Sequence, residues 1–253
     1  MKLYSIVFSP TGGTQKVAAL LAEGLEGEAI WVDLADSRQN FSAVQLTEED
    51  TAVIAVPSYG GRVPAVAAER LTAMNGRGAR AVLVCVYGNR AYEDTLVELE
   101  DVARKAGFRV IAAVAAIAEH SIARQFAGGR PDARDAGQLA AFTRQIRDKL
   151  SGDDLSEPKL PGNRPYKKAG TVGMVPKAAK GCNHCGVCAE ECPVQAIHRD
   201  DPTKVEQKAC ISCMRCIAVC PQKARKLNPL LLSAAGLMLK KVCSQRKECA
   251  LFL

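Results

Sequence analysis

Two cysteine runs of identical spacing lie in the C-terminal third of the chain, and they constrain its fold more than any other feature. The first run is Cys182-x2-Cys185-x2-Cys188-x3-Cys192-Pro193. The second, 28 residues further on, is Cys210-x2-Cys213-x2-Cys216-x3-Cys220-Pro221. Eight of the 11 cysteines belong to this repeat, and they occur as two groups of four thiols.

This spacing is typical of iron–sulfur ligands. Three thiolates spaced by two residues can reach three corners of one small inorganic cube, and in a doubled motif the fourth ligand comes from the other copy. We therefore predict two [4Fe–4S] clusters, one bound by Cys182, Cys185, Cys188 and Cys220 and the other by Cys210, Cys213, Cys216 and Cys192. Zinc is the nearer rival, although zinc sites usually take two C-x2-C pairs. A disulfide scaffold would need an oxidising compartment, of which the sequence gives no sign.

The bulk composition is that of a soluble globular protein with one large domain or two smaller ones. The chain has 253 residues, 48% of them hydrophobic, which is ample for a core. Its first residues predict a buried strand and not a signal peptide, and the apolar run 230–239 is too short to span a bilayer. We therefore expect a cytoplasmic protein without a membrane span, in a compartment where thiols stay reduced.

The formal net charge of +7 is no evidence for nucleic-acid binding. Two four-thiolate clusters would each contribute about −2 in the oxidised state, and a phosphorylated cofactor would add further negative charge. The basic excess would then mainly offset the protein's own cofactors, so nucleic acid is not an expected partner. Lysines precede the first cysteine run at Lys167, Lys168, Lys177 and Lys180; a solvated linker explains them, although they would also suit an acidic partner.

Residues 1–150 alternate short apolar runs with helical periodicity. Strands are predicted over 2–8, 29–34, 51–56, 79–87 and 108–117. Such alternation favours an α/β domain with a doubly wound parallel sheet. Prolines and glycines break any period over 151–175, which predicts a linker. The cysteine repeat then occupies a small α+β domain over 176–226, and residues 227–253 are expected to form a helical tail.

Three unusual loops follow the first, third and fourth predicted strands, and ligands of an open parallel sheet bind beyond the carboxyl ends of its strands. The loop 9–14 leads into a helix N-terminus and suits a terminal phosphate. It has no lysine of the kind found in a nucleotide-triphosphate loop. The loops 57–64 and 87–94 contain glycines, which allow close backbone approach, and tyrosines, which can cover a ring face.

With these loops at one end and the cysteine repeat at the other, the chain resembles the fused flavodoxin–ferredoxin proteins of anaerobic microbes over nearly all of its length. The resemblance implies a flavodoxin-like, doubly wound, five-stranded parallel sheet that binds FMN, followed by a two-cluster ferredoxin domain. It assigns phosphate-binding roles to Ser9, Thr11, Gly12, Gly13 and Thr14. It assigns flavin contacts to Pro57, Ser58, Tyr59, Gly60, Gly61, Tyr87, Gly88, Asn89 and Tyr92. Gly13 departs from the asparagine usual in flavodoxins, so we expect weaker side-chain support there but no loss of FMN.

These features predict an electron-transfer protein that couples one- and two-electron chemistry between redox protein partners and needs no catalytic residue. The alternative is an FMN-dependent reductase of a small molecule, with Glu119, His120 and Arg130 in its pocket and His120 as proton donor. A redox sensor that uses Cys243 and Cys249 is a third class. We expect Cys85 to be inert in a core strand and His184 to be a loop residue, since the cysteines already complete the site.

Overall fold

Five apolar segments in the first half of the chain pair as parallel strands. They are seen in a computed structural model that describes residues 1–25, 27–152, 156–170 and 173–253. The strands are β1 (Leu3–Val7), β2 (Ala29–Asp33), β3 (Thr51–Pro57), β4 (Arg80–Tyr87) and β5 (Arg109–Ile117). Their order is β2-β1-β3-β4-β5, the flavodoxin-like order with its switch point between β1 and β3. The predicted doubly wound parallel sheet is confirmed.

Helices cover both faces of this sheet, which is why its central strands are near-continuous runs of valine, alanine, leucine and isoleucine. The helices are α1 (Gly13–Glu23), α2 (Ala65–Thr72), α3 (Thr95–Lys105) and α4 (Ala133–Ser151). α1 packs with α4 and α2 packs with α3, and right-handed crossovers place the two pairs on opposite faces. A short 3-10 turn at Phe41–Ala43 precedes β3. The hydrophobic core therefore lies on both sides of the sheet, and the loops at the carboxyl ends of the strands remain free for ligands.

The cysteine repeat folds as a small second domain. Each cysteine loop leads into one turn of helix, α5 (Val187–Glu190) in the first copy and α6 (Arg215–Ala218) in the second. β6 (Lys177–Ala178) pairs antiparallel with β7 (Arg225–Lys226). The buried apolar core of this domain contains few residues, with cysteines among them. A core of this size supplies little stability by itself.

The tail returns to the α/β domain, which the sequence analysis did not predict. It is helical over α7 (Pro229–Cys243), and it then ends in a strand, β8 (Ala250–Phe252). β8 pairs antiparallel with β5, with Phe252 opposite Ala113, and so becomes the sixth strand of the sheet. Within the described ranges, no helix has both the length and the apolar character needed to cross a membrane.

Residues 156–170, here called the strap, lie against the N-terminal end of α3. Of the predicted linker, residues 153–155 and 171–172 lie outside the described residues. Asp94, which is 2% exposed, accepts hydrogen bonds from the backbone N–H groups of Asn163 at 2.9 Å and Lys167 at 2.7 Å. Arg164 Nε donates to Asp101 Oδ2 at 2.8 Å. The segment expected to be a plain linker is therefore fastened to the helix that follows the loop 87–94.

Candidate cofactor sites

The loop between β1 and α1 brings backbone N–H groups and cations to one end of a cleft. Gly12 adopts a φ of 88° directly before α1, and a Cβ added there would meet no atom within 4 Å. Thr11 and Gly13 line a cavity of about 290 Å³. Its wall also contains the side chains of Lys16, Arg124 and Arg130. Free amides at a helix N-terminus beside several cations suit a phosphate group.

Other residues of this loop hold its shape. Ser9 Oγ accepts the backbone N–H of Gln15 at 2.9 Å, which fixes the first turn of α1. Thr14 is 4% exposed. A Cβ added to Gly13 would come within 3.1 Å of the Ala118 Cβ. The departure from asparagine at Gly13 therefore fits the close packing of this loop against the residue that follows β5.

The loops after β3 and β4 face each other across a second, more apolar cavity of about 290 Å³. Both loops contribute to its wall, through Ser58, Tyr59, Gly60, Tyr87 and Gly88. The rings of Tyr87 and Tyr92 lie 5.2 Å apart, and Tyr59 meets Phe8 edge-on at 6.5 Å. A narrower cavity lined by Thr11, Pro57 and both lining tyrosines joins the two ends. The three cavities form one cleft, which suits a flat ring with a phosphate tail.

Two residues assigned to the flavin ring hold the loops together. A Cβ added to Gly61 would lie 1.8 Å from Glu93 Oε2, so only glycine allows the loops 57–64 and 87–94 to meet as they do. Asn89 is 3% exposed, and its Nδ2 donates to the carbonyls of Cys243 at 2.7 Å and Gln245 at 2.8 Å. The side chain of Asn89 therefore ties the loop to the tail, where the sequence analysis expected a contact with the ring.

His120 borders the cleft in the neutral form. Its Nδ1 accepts the backbone N–H groups of Ile122 and Ala123, each at 3.2 Å, so Nε2 carries the proton. Burial, with a smaller effect of the nearby Arg90 charge, lowers the pKa of His120. A Cβ added to Gly88 would lie 2.7 Å from His120 Cδ2. The imidazole therefore packs directly against the loop that follows β4 and can donate one proton into the cleft.

The other two residues of the predicted pocket are held in ion pairs. Burial acts to raise the pKa of Glu119, but hydrogen bonds from Arg124 and from the Gly129 N–H outweigh it, and the pKa is lowered. Arg130 is 7% exposed; its Nε lies 2.8 Å from Asp135 Oδ2. Both side chains line the phosphate end of the cleft, but the charge of each is already paired with an opposite charge of the protein.

Cys192 acts electrostatically on Cys210, Cys213 and Cys216, the three thiols with which it is predicted to share a cluster. Among the described residues, no three potential ligands lie close enough together to hold a single metal ion. Burial, with a smaller effect of the nearby Cys192, raises the pKa of Cys213 and Cys216 to about 12. Burial, followed by the Cys192 charge, also raises the pKa of Cys210. Thiols that oppose one another's ionisation bind as thiolates only around a strongly cationic core. The chemistry of this donor set therefore fits an iron–sulfur cluster.

The last cysteine of each run accepts an equivalent hydrogen bond from a backbone N–H group. The Ala196 N–H donates to Cys192 Sγ at 3.3 Å, and the Ala224 N–H donates to Cys220 Sγ at 3.2 Å. The buried Arg225 breaks the symmetry, since its Nη2 lies 3.5 Å from Cys188 Sγ. Hydrogen bonds to sulfur favour the thiolate and raise the potential of a bound cluster.

The second cysteine loop forms part of the wall of the cleft. Ile211 and Ser212 border the ring end, and Met214 and Ile217 border the phosphate end. Burial and, to a smaller extent, the charge of Cys213 raise the pKa of Tyr59. Sequence reasoning missed these lining residues, together with Lys16 and Arg124 and with Ala235, Met238 and Leu239 of α7. Nothing in the cysteine spacing indicates which loop meets the other domain.

The three remaining cysteines are buried free thiols. Cys85 is fully buried in β4, and Cys243 and Cys249 are 2% and 9% exposed. Burial raises the pKa of all three. Protonated, buried thiols react slowly with oxidants, so the structure offers no support for a sensor built on the tail cysteines.

Residues 181–224 match the family model described as a 4Fe–4S dicluster domain. Over 69 residues, 26% of this chain and 32% of the relative, the chain is 38% identical to a subunit of the tetrathionate reductase of Archaeoglobus fulgidus. Over 52 residues, 19% of this chain and 27% of the relative, it is 40% identical to the thiosulfate reductase electron transfer subunit of Salmonella typhi. The chain spans about a third or less of these relatives.

Solved flavodoxins are similar to the α/β part. Flavodoxin 1 from Bacillus cereus has 16% identity and a TM-score of 0.42, with 60% of this chain and 100% of that chain covered. The Streptococcus pneumonia TIGR4 flavodoxin has 22% identity and a TM-score of 0.39, with 58% and 99% covered. At these values the likenesses add nothing to the strand order, on which the flavodoxin-like assignment rests.

The fold and the matched family together define the class, a flavodoxin-like α/β domain joined to a 4Fe–4S dicluster domain. The predicted fused architecture is confirmed. The chain also has the strap along α3 and the edge strand β8.

Proposed function

We propose that the chain is an electron-transfer protein that binds one FMN and two [4Fe–4S] clusters and exchanges electrons with redox protein partners. When bound, the flavin supplies two-electron and one-electron chemistry and each cluster supplies one-electron chemistry. The observation that carries the proposal is the shared cleft, because Ile211 and Ser212 of the second cysteine loop line the same cavity as Tyr59 and Gly88. A flavin and a cluster bound there would share a wall.

The residues of the cleft bind and orient FMN in this proposal. The backbone N–H groups of Thr11 and Gly13 donate to the phosphate, and Lys16 lies where it offsets the phosphate charge. Tyr59 and Tyr87 cover the ring and exclude water from it. Gly60 and Gly88 allow the backbone to approach the ring edge.

The eight repeat cysteines hold the clusters in the crossed sets predicted from the sequence. The backbone N–H groups of Ala196 and Ala224 stabilise the cysteine sulfurs at the crossing points. Arg225 adds a cation beside Cys188 and favours reduction of the cluster there. No side chain has to act as acid or base in electron exchange between protein partners. Similarity to a subunit named for electron transfer supports this proposal.

Anaerobic reconstitution with iron, sulfide and FMN tests the function. We expect about eight irons and one FMN per chain, given two [4Fe–4S] clusters, and a redox titration in which flavin and cluster bands both respond. A protein that takes up zinc in place of iron, or that leaves FMN in solution, would contradict the proposal.

A second candidate is a reductase of a small apolar molecule. It rests on the neutral His120 and on the extension of the ring cavity to Ala235 and Leu239 of α7. His120 Nε2 would donate the proton that such a reduction requires. Mixing the reduced protein with organic acceptors and with redox proteins separates the two functions. Stoichiometric oxidation by an organic acceptor that is lost in His120→Ala, while oxidation by proteins is kept, would favour the reductase.

A further inference from the structure

The two cysteine loops have the same spacing, but their middle residues differ in exposure. In the first loop His184 and Cys185 are exposed. Their counterparts in the second loop, Ser212 and Cys213, are 5% and 8% exposed. The backbone is the same in both, with φ of 57° at His184 and 54° at Ser212. The difference in exposure therefore arises from what covers the second loop and not from its own conformation.

The α/β domain covers the second loop. Ser212 shares the ring cavity with Tyr59, and Met214 shares the phosphate cavity with Thr11. Ile211 also packs against the core of the α/β domain. The second loop therefore touches both ends of the cleft, whereas the middle of the first loop faces solvent.

Met214 shows that the second loop is shaped for this contact. It has a φ of 64°, and its counterpart Gly186 has a φ of 78°. Left-handed backbone is unfavourable for a non-glycine residue. The Met214 side chain is 3% exposed and lines the cleft, so its packing offsets that cost. Glycine suffices at the same point of the loop that faces solvent.

Cys192 and Cys220, the ligands that each cluster takes from the other run, also differ in exposure. Cys192 belongs with the second loop, and it is 8% exposed. The carbonyl of the adjacent Pro193 accepts a hydrogen bond from Arg70 Nη2 at 2.6 Å, across the domain boundary. Cys220 belongs with the first loop and is followed by the exposed Pro221. The crossed ligands therefore differ in the same direction as the middle of the two loops, although the outer ligand Cys188 is also buried, at 8% exposed.

Taking the proposed function as given, we propose that the two cluster sites have fixed and unequal places. The site of Cys192, Cys210, Cys213 and Cys216 is the inner site, which adjoins the flavin. The site of Cys182, Cys185, Cys188 and Cys220 is the outer site, which meets the partner. Each transfer moves one electron and makes or breaks no bond. A one-electron donor protein is oxidised by one electron as the outer site is reduced by one, and the inner site passes that electron on to the flavin. Two such transfers reduce the flavin fully, and the flavin takes up its protons from water.

The surface around the outer site indicates the chemistry of that partner. The sequence has no aspartate or glutamate over 158–189 or over 207–247, the two segments that contain the four ligands of the outer site. Exposed lysines lie close in sequence to these ligands at Lys180 and Lys223, and Lys226 pairs across β6 and β7 with Lys177. Lysines next to the ligands fit a redox protein with an acidic face.

Matched variants test the inner and outer assignment in the full-length holoprotein. Cys185→Ser removes an outer ligand and Cys213→Ser removes an inner one. The remaining cluster of each variant is followed by EPR and by redox titration, with FMN removed and then restored. We expect FMN to shift the potential and spectrum of the cluster in Cys185→Ser, because that cluster adjoins the cleft, and to leave the cluster in Cys213→Ser unchanged.

The opposite pattern, an equal response in both variants, or no response in either would overturn the assignment. If a variant loses both clusters, the test is made on the wild-type protein by following the loss of iron to an aqueous chelator. The cluster whose spectrum responds to FMN should then lose its iron more slowly than the other. Failure of the proposed function is distinct, because it appears in the wild type as absent iron or absent FMN binding.

The partner surface has its own measurement. With an acidic ferredoxin as the probe at low salt, Lys180→Glu and Lys223→Glu should each slow reduction of the clusters about tenfold, within the range of electrostatic steering. Lys105→Glu, an exposed substitution on α3 of the α/β domain, is the matched control and should change the rate little. Equal slowing by all three substitutions would contradict a lysine surface at the outer site.

Discussion

Single residues decide how closely the loops of the cleft approach one another. Gly61 is required because Glu93 occupies the place where a Cβ would stand, and Gly88 is required because His120 does. The sequence identified both glycines as loop residues that allow close approach to a ring. The structure shows that protein side chains already use that space, so these glycines shape the cleft as well as border it.

Replacing Gly88 with alanine should weaken FMN binding. The new Cβ would lie within about 2.8 Å of three His120 atoms, so the imidazole must move and lose its bonds with the Ile122 and Ala123 N–H groups. Overpacking of this kind costs roughly 1–3 kcal/mol, which corresponds to about fivefold to 150-fold in Kd. A flavin fluorescence titration measures it. Gly137→Ala on α4, where a Cβ meets nothing, is the control and should bind FMN like the wild type; equal affinity in Gly88→Ala would refute the argument.

At the scale of elements, the sequence predicted the helices and strands that have a regular hydrophobic pattern and missed the segments that have none. β3, β4 and β5 were found because long apolar runs mark buried strands. β8 was missed because its three residues, Ala250–Phe252, are too few to show a period. The strap was taken for a linker because its prolines and glycines break any helix. Its contacts with α3 come from single polar residues such as Asn163 and Arg164, and no sequence pattern indicates such contacts.

The tail should loosen when Asn89 is changed. Asn89→Ala removes the amide that donates to two carbonyls of the tail. Leaving these buried carbonyls without a donor should lower the stability of the docked tail by about 1–3 kcal/mol. Hydrogen exchange over α7 and the residues after it should rise, while that of β1 stays low. Asn89→Gly keeps the left-handed backbone at φ of 66° but also lacks the amide. If Asn89→Gly protects the tail as the wild type does, strain and not hydrogen bonding explains the effect of alanine.

The strap should be acid-sensitive through Asp94. Its hydrogen bond from the Lys167 N–H, the largest influence, lowers the pKa of Asp94. A carboxyl with a lowered folded pKa stabilises above the unfolded value of about 3.9, and that stability is lost as the pH falls through the folded pKa. At pH 7, Asp94→Ala should therefore lower the free energy of unfolding by about 3 kcal/mol, because three donors lose their acceptor.

Urea unfolding at a series of pH values checks this prediction. The difference in stability between wild type and Asp94→Ala should be full at pH 7 and should shrink below about pH 4. Asp148→Ala, at an exposed position on α4, should stay within about 0.5 kcal/mol of the wild type at pH 7. A gap between wild type and Asp94→Ala that keeps its size through the acid range would show that the carboxylate charge is not what holds the strap.

At the scale of the whole molecule, the two domains share the cleft and should share its stability. The small cysteine domain has little core of its own, so removal of iron should unfold it. FMN should then bind more weakly, because Ile211 and Ser212 no longer cover the ring end. Chelation followed by far-UV circular dichroism and a flavin titration measures both effects. Retention of helix and strand signal from the α/β domain is expected, and unchanged FMN affinity in the iron-free protein would contradict the shared cleft.

The return of the chain to β8 also limits how these two domains can be recombined. A gene fusion cut within 151–175 would carry α7 and β8 away with the cysteine domain, although both pack on the α/β domain. The recipient protein would gain an unmatched strand, and the donor would be left with β5 as a bare edge open to aggregation. The exchangeable module is therefore the stretch between the strap and α7, and a working chimera needs two junctions, one on each side of the cysteine repeat.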